Sequence, residues 1–391
     1  MSANPWPMMR LKFAARFGYG DALPKDEPQT GEFDVYGSNG PYSSFNRANT
    51  QAPVIVIGRK GSYGKLNWSE HPCFASDTTF FIDSSHTGHH LRWLYFALQT
   101  LALDQGSSEA AIPGLNRETA YECVLSVPDQ FTQQAIAAYL DRETQRMDAL
   151  VEEKQRLIGL LAEKRRALIT RAVTRGLNPQ APLRDSGQPW LGLIPEHWET
   201  RRIAFLFSER DQRGEPSLPL LEVSINHGVI LREFSDDKIE STAADFNSYK
   251  VARKGDIVFN KMRMWQGAVG IAPTDGLTSP DYTVAEPTSS LAVEYAGQLF
   301  RTGIFSAECA RHSHGIVWDR LRLYWEGFRD ILIPLPPIPE QRAIVAHIAT
   351  ETAKLDKLRA SAERTIALLK ERRAALIAAA VTGKIAIPLI S

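Results

Sequence analysis

Two stretches of the chain carry apolar residues at a seven-residue spacing. In the first the column is Leu140, Met147, Leu161 and Leu168, with Leu150 and Leu157 beside it. In the second it is Ile348, Leu355, Leu369 and Leu376, with Leu358. Both stretches are rich in Ala, Leu, Glu, Lys and Arg and hold no internal proline, so both predict long helices. A sustained period of seven is that of a coiled-coil seam. Each helix would run about 40 residues, or roughly 60 Å. A stripe that long cannot be hidden within one compact domain, and the natural partner of each helix is the other. Lys154 interrupts the first column and Glu143 and Lys164 the flanking one; Glu351 and Arg372 hold the matching places in the second copy. Antiparallel pairing brings the glutamate end of each helix toward the basic end of the other. The same side chains could equally reach out to water.

The two helices are copies. The 45 residues from Gln133 lie over those from Gln341 without a gap, and 20 positions are identical. The approach is repeated as well: CVLSVP from Cys123 resembles ILIPLP from Ile331, a short apolar strand closed by proline. Further upstream, Arg10-Leu11-Lys12-Phe13 resembles Arg202-Ile203-Ala204-Phe205. Each opens a segment of short mixed strands that includes an apolar strand followed by a basic, aromatic, glycine-bearing loop. Gly176–Pro189 reads as a Pro/Gly linker between the halves. The expected class is α+β: two β-rich globular domains joined by two long antiparallel coiled-coil helices, with an internal pseudo-two-fold repeat. The expected boundaries are 1–130 for the first domain, 131–176 for its helix and 177–190 for the linker. The second domain spans 191–337, and its helix with a C-terminal tail 338–391.

At 391 residues the chain can bury real cores, and 43% hydrophobic with 23% charged residues is ordinary for a globular protein. No apolar run approaches the length of a membrane span, and MSANPWPMMRLKF has no apolar leader. Cys73, Cys123 and Cys309 are few, distant and form no CxxC pair, which predicts a reduced, cytoplasmic protein. The net charge of zero hides an alternation. Lys+Arg against Asp+Glu is 10 to 13 over 1–130, 9 to 6 over 131–176, 17 to 21 over 177–337 and 9 to 5 over 338–391.

IGRKGSYGKLNW at Ile57–Trp68 poses the main chemical question, because its glycines and cations suit phosphate. It is not a nucleotide-binding P-loop: Gly58 stands one residue too far from Gly64-Lys65, and Leu66 replaces the metal-binding hydroxyl. No dinucleotide fingerprint or H-E-x-x-H pair is present. The histidines of HTGHH (His86, His89, His90) and the pair His312 and His314 lack a ligand pattern around them. Basic, amide and aromatic side chains on loops at strand ends suit nucleic acid better, since cations hold phosphates while Arg, Asn and Gln pair with base edges. In the first domain the candidates are Ser38, Asn39, Arg59, Lys60, Ser62, Tyr63, Lys65 and Asn67. In the second they are Lys261, Arg263, Trp265, Gln266, Ser279, Asp281 and Tyr282. The opposing reading packs Trp68, Trp265 and Tyr282 into cores and leaves the charges solvated. The net-negative domains require any DNA affinity to come from local patches or from partners.

Several of these stretches together resemble the specificity subunits of Type I restriction–modification enzymes. They are PLPPIPEQRAI (Pro334–Ile344), KERRAALIAAAVTGKI (Lys370–Ile385), LIPEHWETRRIAFLF (Leu193–Phe207), GDIVFNKMRMWQGAVGIA (Gly255–Ala272) and IGRKGSYGKLNW. The resemblance covers essentially the whole chain, with one departure: MRLKF has no counterpart of the IPEHW that leads into the second domain. It implies two target-recognition domains, each reading one half of a gapped double-stranded DNA site, and a helical spacer that sets the gap. It implies no active site and no cofactor bound by this chain. The implied partners are two modification subunits, which use S-adenosylmethionine to methylate adenine, and restriction subunits, which use ATP and magnesium; no membrane is involved. From another class, a scaffold with two protein-interaction modules and no affinity for DNA would share the same outline.

Overall fold

A computed structural model of the protein describes residues 6–24, 26–104, 114–232, 246–288, 291–315 and 321–387. It divides into two units, Met1–Gln155 with Ala362–Ser391, and Arg156–Ser361. The first contains β1 (Met8–Arg10), α1 (Leu11–Ala14), β2 (Gly18–Tyr19), β3 (Phe33–Gly37), β4 (Gly40–Phe45), β5 (Val54–Gly58) and β6 (Leu66–Ser69). These are followed by β7 (Phe74–Ala75), β8 (Thr79–Ile82), α2 (Leu91–Leu98), α3 (Arg117–Glu122) and β9 (Val124–Ser126), then the start of α4 (Gln130–Arg175). The Val54–Ile57 run is buried along its whole length and is central in a four-stranded antiparallel sheet of order β2-β8-β5-β6. β3 pairs with β4 and β7 beside it, and β1 pairs with β9 in front of the helix. Ile55, Ile57, Phe80, Trp93 and Phe96 form one core with Ile136 and Leu140 at the start of α4.

The second unit follows the same plan. Its elements are β10 (Leu183–Asp185), β11 (Leu193–Pro195), β12 (Glu199–Arg202), β13 (Phe207–Glu209), β14 (Leu221–Ser224), β15 (Gly228–Leu231), β16 (Lys250–Ala252) and β17 (Ile257–Asn260). There follow β18 (Val269–Ile271), β19 (Gly276–Thr278), β20 (Tyr282–Pro287), α5 (Val293–Phe300), α6 (Gly303–Arg311), α7 (Trp325–Arg329), β21 (Leu332–Leu335) and α8 (Ile338–Val381). The four-stranded order β13-β20-β17-β18 repeats that of the first unit strand for strand, and β12 pairs with β21 as β1 does with β9. Gly176–Pro189, expected as a linker, contains β10, which forms a hairpin with β11. Below that hairpin Trp198 is buried and donates its indole N–H to Glu340 at 3.1 Å.

Both long helices pass from one unit to the other, and in each unit the start of one packs against the end of the other. Ile136 and Leu140 of α4 share a core with Ile377, Ala380 and Val381 of α8 in the first unit. Ala172 and Val173 of α4 do so with Ile344 and Ile348 of α8 in the second. The pairing is therefore antiparallel, as expected. Two ion pairs cross between the helices: Asp148–Arg373 at 3.1 Å and Arg165–Asp356 at 2.5 Å. They are one pair seen twice, since the 208-residue offset maps Asp148 onto Asp356 and Arg165 onto Arg373. The expected glutamates do less. Glu143 pairs with Arg142 and Arg146 of its own helix, and Glu351 with Lys354 of its own. The carboxyl of Glu351 is held below its usual range chiefly by Lys354, with Lys164 of α4 only adding to the field.

The column at sevens is buried at Leu140, Met147, Leu161, Ile348 and Leu355. The flanking leucines are not: Leu150, Leu157 and Leu358 are 43%, 38% and 55% exposed. A third interaction is duplicated at the helix starts. Gln133 is buried; its Nε2 donates to Pro128 O at 2.8 Å and its Oε1 accepts from His90 N at 2.8 Å. Gln341, its copy, is also buried; it donates to Pro336 O and accepts from Ala292 N, each at 2.8 Å. His90 and Ala292 are the N-cap residues of α2 and α5. Each glutamine thus ties a long helix both to its own lead-in and to the domain helix beside it.

Candidate nucleic-acid interface

In the first unit the loop between β5 and β6 is held by its own backbone. Gly58 N donates to Lys65 O and Gly64 N to Gly58 O, both at 2.8 Å, and Tyr63 N to Gly61 O at 2.8 Å. Arg59 N and Lys60 N both donate to Thr78 O, at 2.8 and 3.3 Å. Gly64 sits at φ +73°, and a Cβ there would lie 2.4 Å from the Leu103–Asp104 backbone, so glycine is required for packing. A phosphate cradle needs several converging free amides, and those of Gly58, Arg59, Lys60, Tyr63 and Gly64 are committed within the protein. Contact with nucleic acid is left chiefly to side chains.

Those side chains converge with the β3–β4 turn and the β7–β8 turn. Ser38 is buried and donates its Oγ to Thr78 O at 2.6 Å. Lys65 Nζ donates to Asn39 O and Oδ1 at 2.9 and 2.7 Å. Arg59 Nη2 donates to Asp77 O at 2.8 Å, and its guanidinium stands over the rings of Tyr19 (5.5 Å) and Phe80 (5.7 Å). Arg59 is therefore half-buried and structural. Lys60 and Ser62 are exposed and Tyr63 half-buried, and the Lys60 ammonium has no partner among the described residues. Asn67, on β6, lies against Gly40 at the start of β4 and lines a cleft of about 660 Å³ with Tyr36, Pro41, Trp68, Arg92 and Arg373. Trp68 packs against Tyr95 and lies under the Arg92 guanidinium at 4.6 Å, so the opposing reading of Trp68 as a packing residue holds.

The second unit puts its candidates at the same place. In the β17–β18 loop Lys261 and Arg263 precede, and Trp265 and Gln266 lie within, a 3-10 turn over Met264–Gln266 closed by Gly267 at φ +86°. Arg263 and Gln266 are exposed, while Trp265 donates its indole N–H to Met262 O at 2.9 Å and is half-buried. Lys261 Nζ lies 6.0 Å over the Tyr324 ring. Asn260 pairs in register with Tyr282, which brings this loop beside the Ser279–Tyr282 turn. Within that turn Tyr282 N donates to Ser279 O at 2.9 Å, and Asp281 is exposed. Ser279 and Tyr282 line a cleft of about 370 Å³ with Glu222, Arg232 and Tyr249. Burial raises the Tyr282 phenol, as does the Glu222 carboxylate, while Asn260, Arg232 and Arg263 oppose the rise. At neutral pH the phenol is a hydrogen-bond donor facing that cleft.

Two features escaped the sequence reading. The Ser76–Thr79 turn is the counterpart of Ser279–Tyr282: Thr79 N donates to Ser76 O at 2.9 Å, as Tyr282 N does to Ser279 O. Carrying the choice of Ser279 across the internal repeat would have found it. Glu222 and Arg232 reach the Tyr282 cleft from β14 and the end of β15, and nothing in the local sequence marks them. The histidines are engaged elsewhere. His86 pairs with Asp83 at 2.7 Å, His89 accepts from Gln133, and His312 lies 3.2 Å from Glu308. Among the described residues no group of three or more His, Cys, Asp or Glu could hold a metal, and no helix is long and apolar enough to cross a membrane.

No protein-family model matches the chain. Among curated proteins it is similar to the Type I restriction enzyme EcoBI specificity subunit of Escherichia coli. The two are 23% identical over 366 residues, which cover 85% of this chain and 73% of that one. Among solved structures it is similar to the HsdS subunit from Thermoanaerobacter tengcongensis, with a TM-score of 0.51 and 16% identity. That match covers 98% of this chain and 100% of the other. A chain from a structural study of complex assembly and conformational transition in the type I R-M system matches with a TM-score of 0.64 and 16% identity, over 97% and 98% of the two chains. The likeness to Type I specificity subunits expected from the motifs is thus found in both sequence and fold.

Proposed function

We propose that this chain is the DNA-reading subunit of a Type I restriction–modification complex, each unit reading one half of a gapped double-stranded site. The observation that carries the proposal is the repeated placement of the candidate side chains. In both four-stranded sheets the loop leaving the central strand meets the turn entering its neighbour, at Arg59–Lys65 with Ser76–Thr79 and at Lys261–Gln266 with Ser279–Tyr282. One frame used twice with different side chains suits a site whose halves differ in sequence. On this reading Lys60, Lys65, Lys261 and Arg263 hold phosphates, and Ser62, Asn67, Gln266 and Tyr282 are available to base edges. The chain has no catalytic role of its own. Two modification subunits bring S-adenosylmethionine and methylate adenine, and restriction subunits bring ATP and magnesium. Mapping methylated adenines in host DNA with this gene intact and deleted tests the proposal. Loss of one gapped, two-part motif on deletion supports it. An unchanged map, with the modification subunit shown to be expressed, favours the scaffold instead.

A further inference from the structure

The internal repeat preserves a surface feature that neither unit needs for its own fold. In the first unit α1 follows β1 with Leu11 and Ala14 buried, while Phe13 is 72% exposed. In the second, the 3-10 turn Ile203–Phe205 follows β12 with Ile203 buried, while Phe205 is 68% exposed. The two sites match in detail. Leu11 N donates to Cys123 O at 2.8 Å and Ile203 N to Ile331 O at 3.0 Å, and Cys123 and Ile331 are repeat equivalents. Arg10 pairs with Glu122 at 2.8 Å and Arg202 with Asp330 at 3.8 Å, and these acids are equivalents too. Between the rings and the pairs the copies have diverged, with Lys12 in one and Ala204 in the other. An exposed phenyl ring beside an exposed ion pair has thus been kept in both copies, although solvation gives no reason for it.

We propose that Phe13 and Phe205 are twin anchors for two copies of one protein partner, each ring entering an apolar socket on one copy. Duplication on the chain argues for a partner present twice. Each ring lies beside charges already paired with one another, Glu122 with Arg10 and Lys12 and Asp330 with Arg202, and an exposed phenyl ring offers nothing to a phosphate backbone but fits an apolar socket on a protein surface. On β1, which leads directly into α1, and on β9 paired with it, Met8 and Val124 are also 59% and 45% exposed. A large aromatic in a desolvated pocket is the commonest form of energetic anchor at such interfaces. This inference depends on the proposed function, under which the doubled partner is the modification subunit.

The test uses the full chain with a Type I modification subunit of the same host, titrated and weighed by native mass spectrometry, for F13A, F205A and the double variant. Because both rings are exposed, melting temperatures should stay at the wild-type value. Wild type should bind two copies, and each single variant should bind one copy normally and the other about thirtyfold more weakly. The double variant should bind both copies about thirtyfold more weakly than wild type. If wild type binds two copies and the double variant does so equally well, the anchors are refuted and the functional proposal stands. If the variants keep both partners but lose affinity for DNA alone, the rings face DNA and the inference is wrong. If wild type binds no modification subunit, the functional proposal fails and the anchors with it.

Discussion

Gln341 offers the sharpest test of how the long helices are fastened. Its side chain is fully buried, donating to Pro336 O and accepting from Ala292 N, each at 2.8 Å. Gln341→Ala removes both bonds at once. The Pro336 carbonyl is deeply placed and loses its partner outright, at about 1–2 kcal/mol; the Ala292 amide is only part-buried and falls near 1 kcal/mol. Deleting the amide-bearing end leaves a small void worth about 1 kcal/mol more. The sum is about 3–4 kcal/mol, which for a unit of this size lowers the melting temperature by roughly 10 °C. Two units need not unfold together, so the melt should be paired with hydrogen exchange on peptides over residues 291–300 and 338–348. Protection should fall there first. Gln341→Glu is a second probe. Its carboxylate can accept from Ala292 but faces the Pro336 carbonyl, and protonation restores a donor. Burial raises this carboxyl, so its protonated form is favoured in the folded state and lost as pH rises. Relative to wild type, the variant should recover stability as pH falls toward 5. A loss for Gln341→Ala below about 1 kcal/mol, with unchanged exchange, would mean that the latch is not what fastens α8.

Arg59→Ala should lower stability by about 1–2 kcal/mol, because a half-buried guanidinium is removed from two rings and from Asp77 O. Lys60→Ala should leave the melt unchanged, reduce DNA affinity and flatten the salt dependence of binding by about one unit of slope; equal effects of the two variants on both readouts would refute the division of roles. Burial holds His89 below its ordinary value of 6.5, and its neutral Nδ1 accepts from Gln133 Nε2 at 3.0 Å. The unfolded chain therefore takes up the proton first, and stability present above pH 6.5 should fall on acidification. The melting temperature should drop between pH 7 and 5.5, less so in His89→Asn; identical slopes would show that His89 is not the cause. Inserting one heptad after Glu153 in α4 and after Ser361 in α8, equivalent positions in the repeat, adds about 10 Å to each helix. Under the proposed function the methylated motif should keep both half-sites and gain about three base pairs of gap; an unchanged gap would show that the helices do not set it.

The long helices were legible because burial along them recurs at the period read from the sequence, at Leu140, Met147 and Leu161 in one copy and at Ile348 and Leu355 in the other. Leu150, Leu157 and Leu358 fit the same period and are exposed. Periodicity reports that a position is apolar; only packing decides whether anything covers it. The repeat was legible for a different reason. It is carried by identities at buried and exposed positions alike, and some of them keep duplicated partners, such as Gln133 with Pro128 and Gln341 with Pro336. The loops were legible only in outline. The glycines of Gly58–Gly64 look alike in a phosphate cradle and in a turn most of whose amides are bonded within the protein, and composition cannot separate the two. Arg59 and Lys60 are neighbours of the same charge, yet one lies on Tyr19 and Phe80 and the other in solvent. That difference comes from β2 and β8, well away from the loop in sequence.

The duplication also explains why the two loops can differ so much without disturbing the fold. Strand order, the glutamine latches and the Asp148–Arg373 and Arg165–Asp356 pairs are common to both units. The strands and latches are buried, and the two ion pairs bridge the helices at their exposed margin. The segment after β5 is a glycine turn closed by its own amides, whereas the segment after β17 is a 3-10 turn closed by Gly267. Their cations sit on different backbones, and the neighbouring turns offer Asp77 and Thr78 in one unit and Pro280 and Asp281 in the other. Arg59 is braced by Thr78, Tyr19 and Phe80 and Met264 by the core, so it is the exposed Lys60, Ser62, Arg263 and Gln266 that can change at little cost to stability, while a change at a strand end such as Gly58 meets backbone at once: a Cβ there would lie 2.2 Å from Ser62 O. Under the proposed function, variation in what is read would be confined to those exposed side chains, with the position from which it is read fixed by the core.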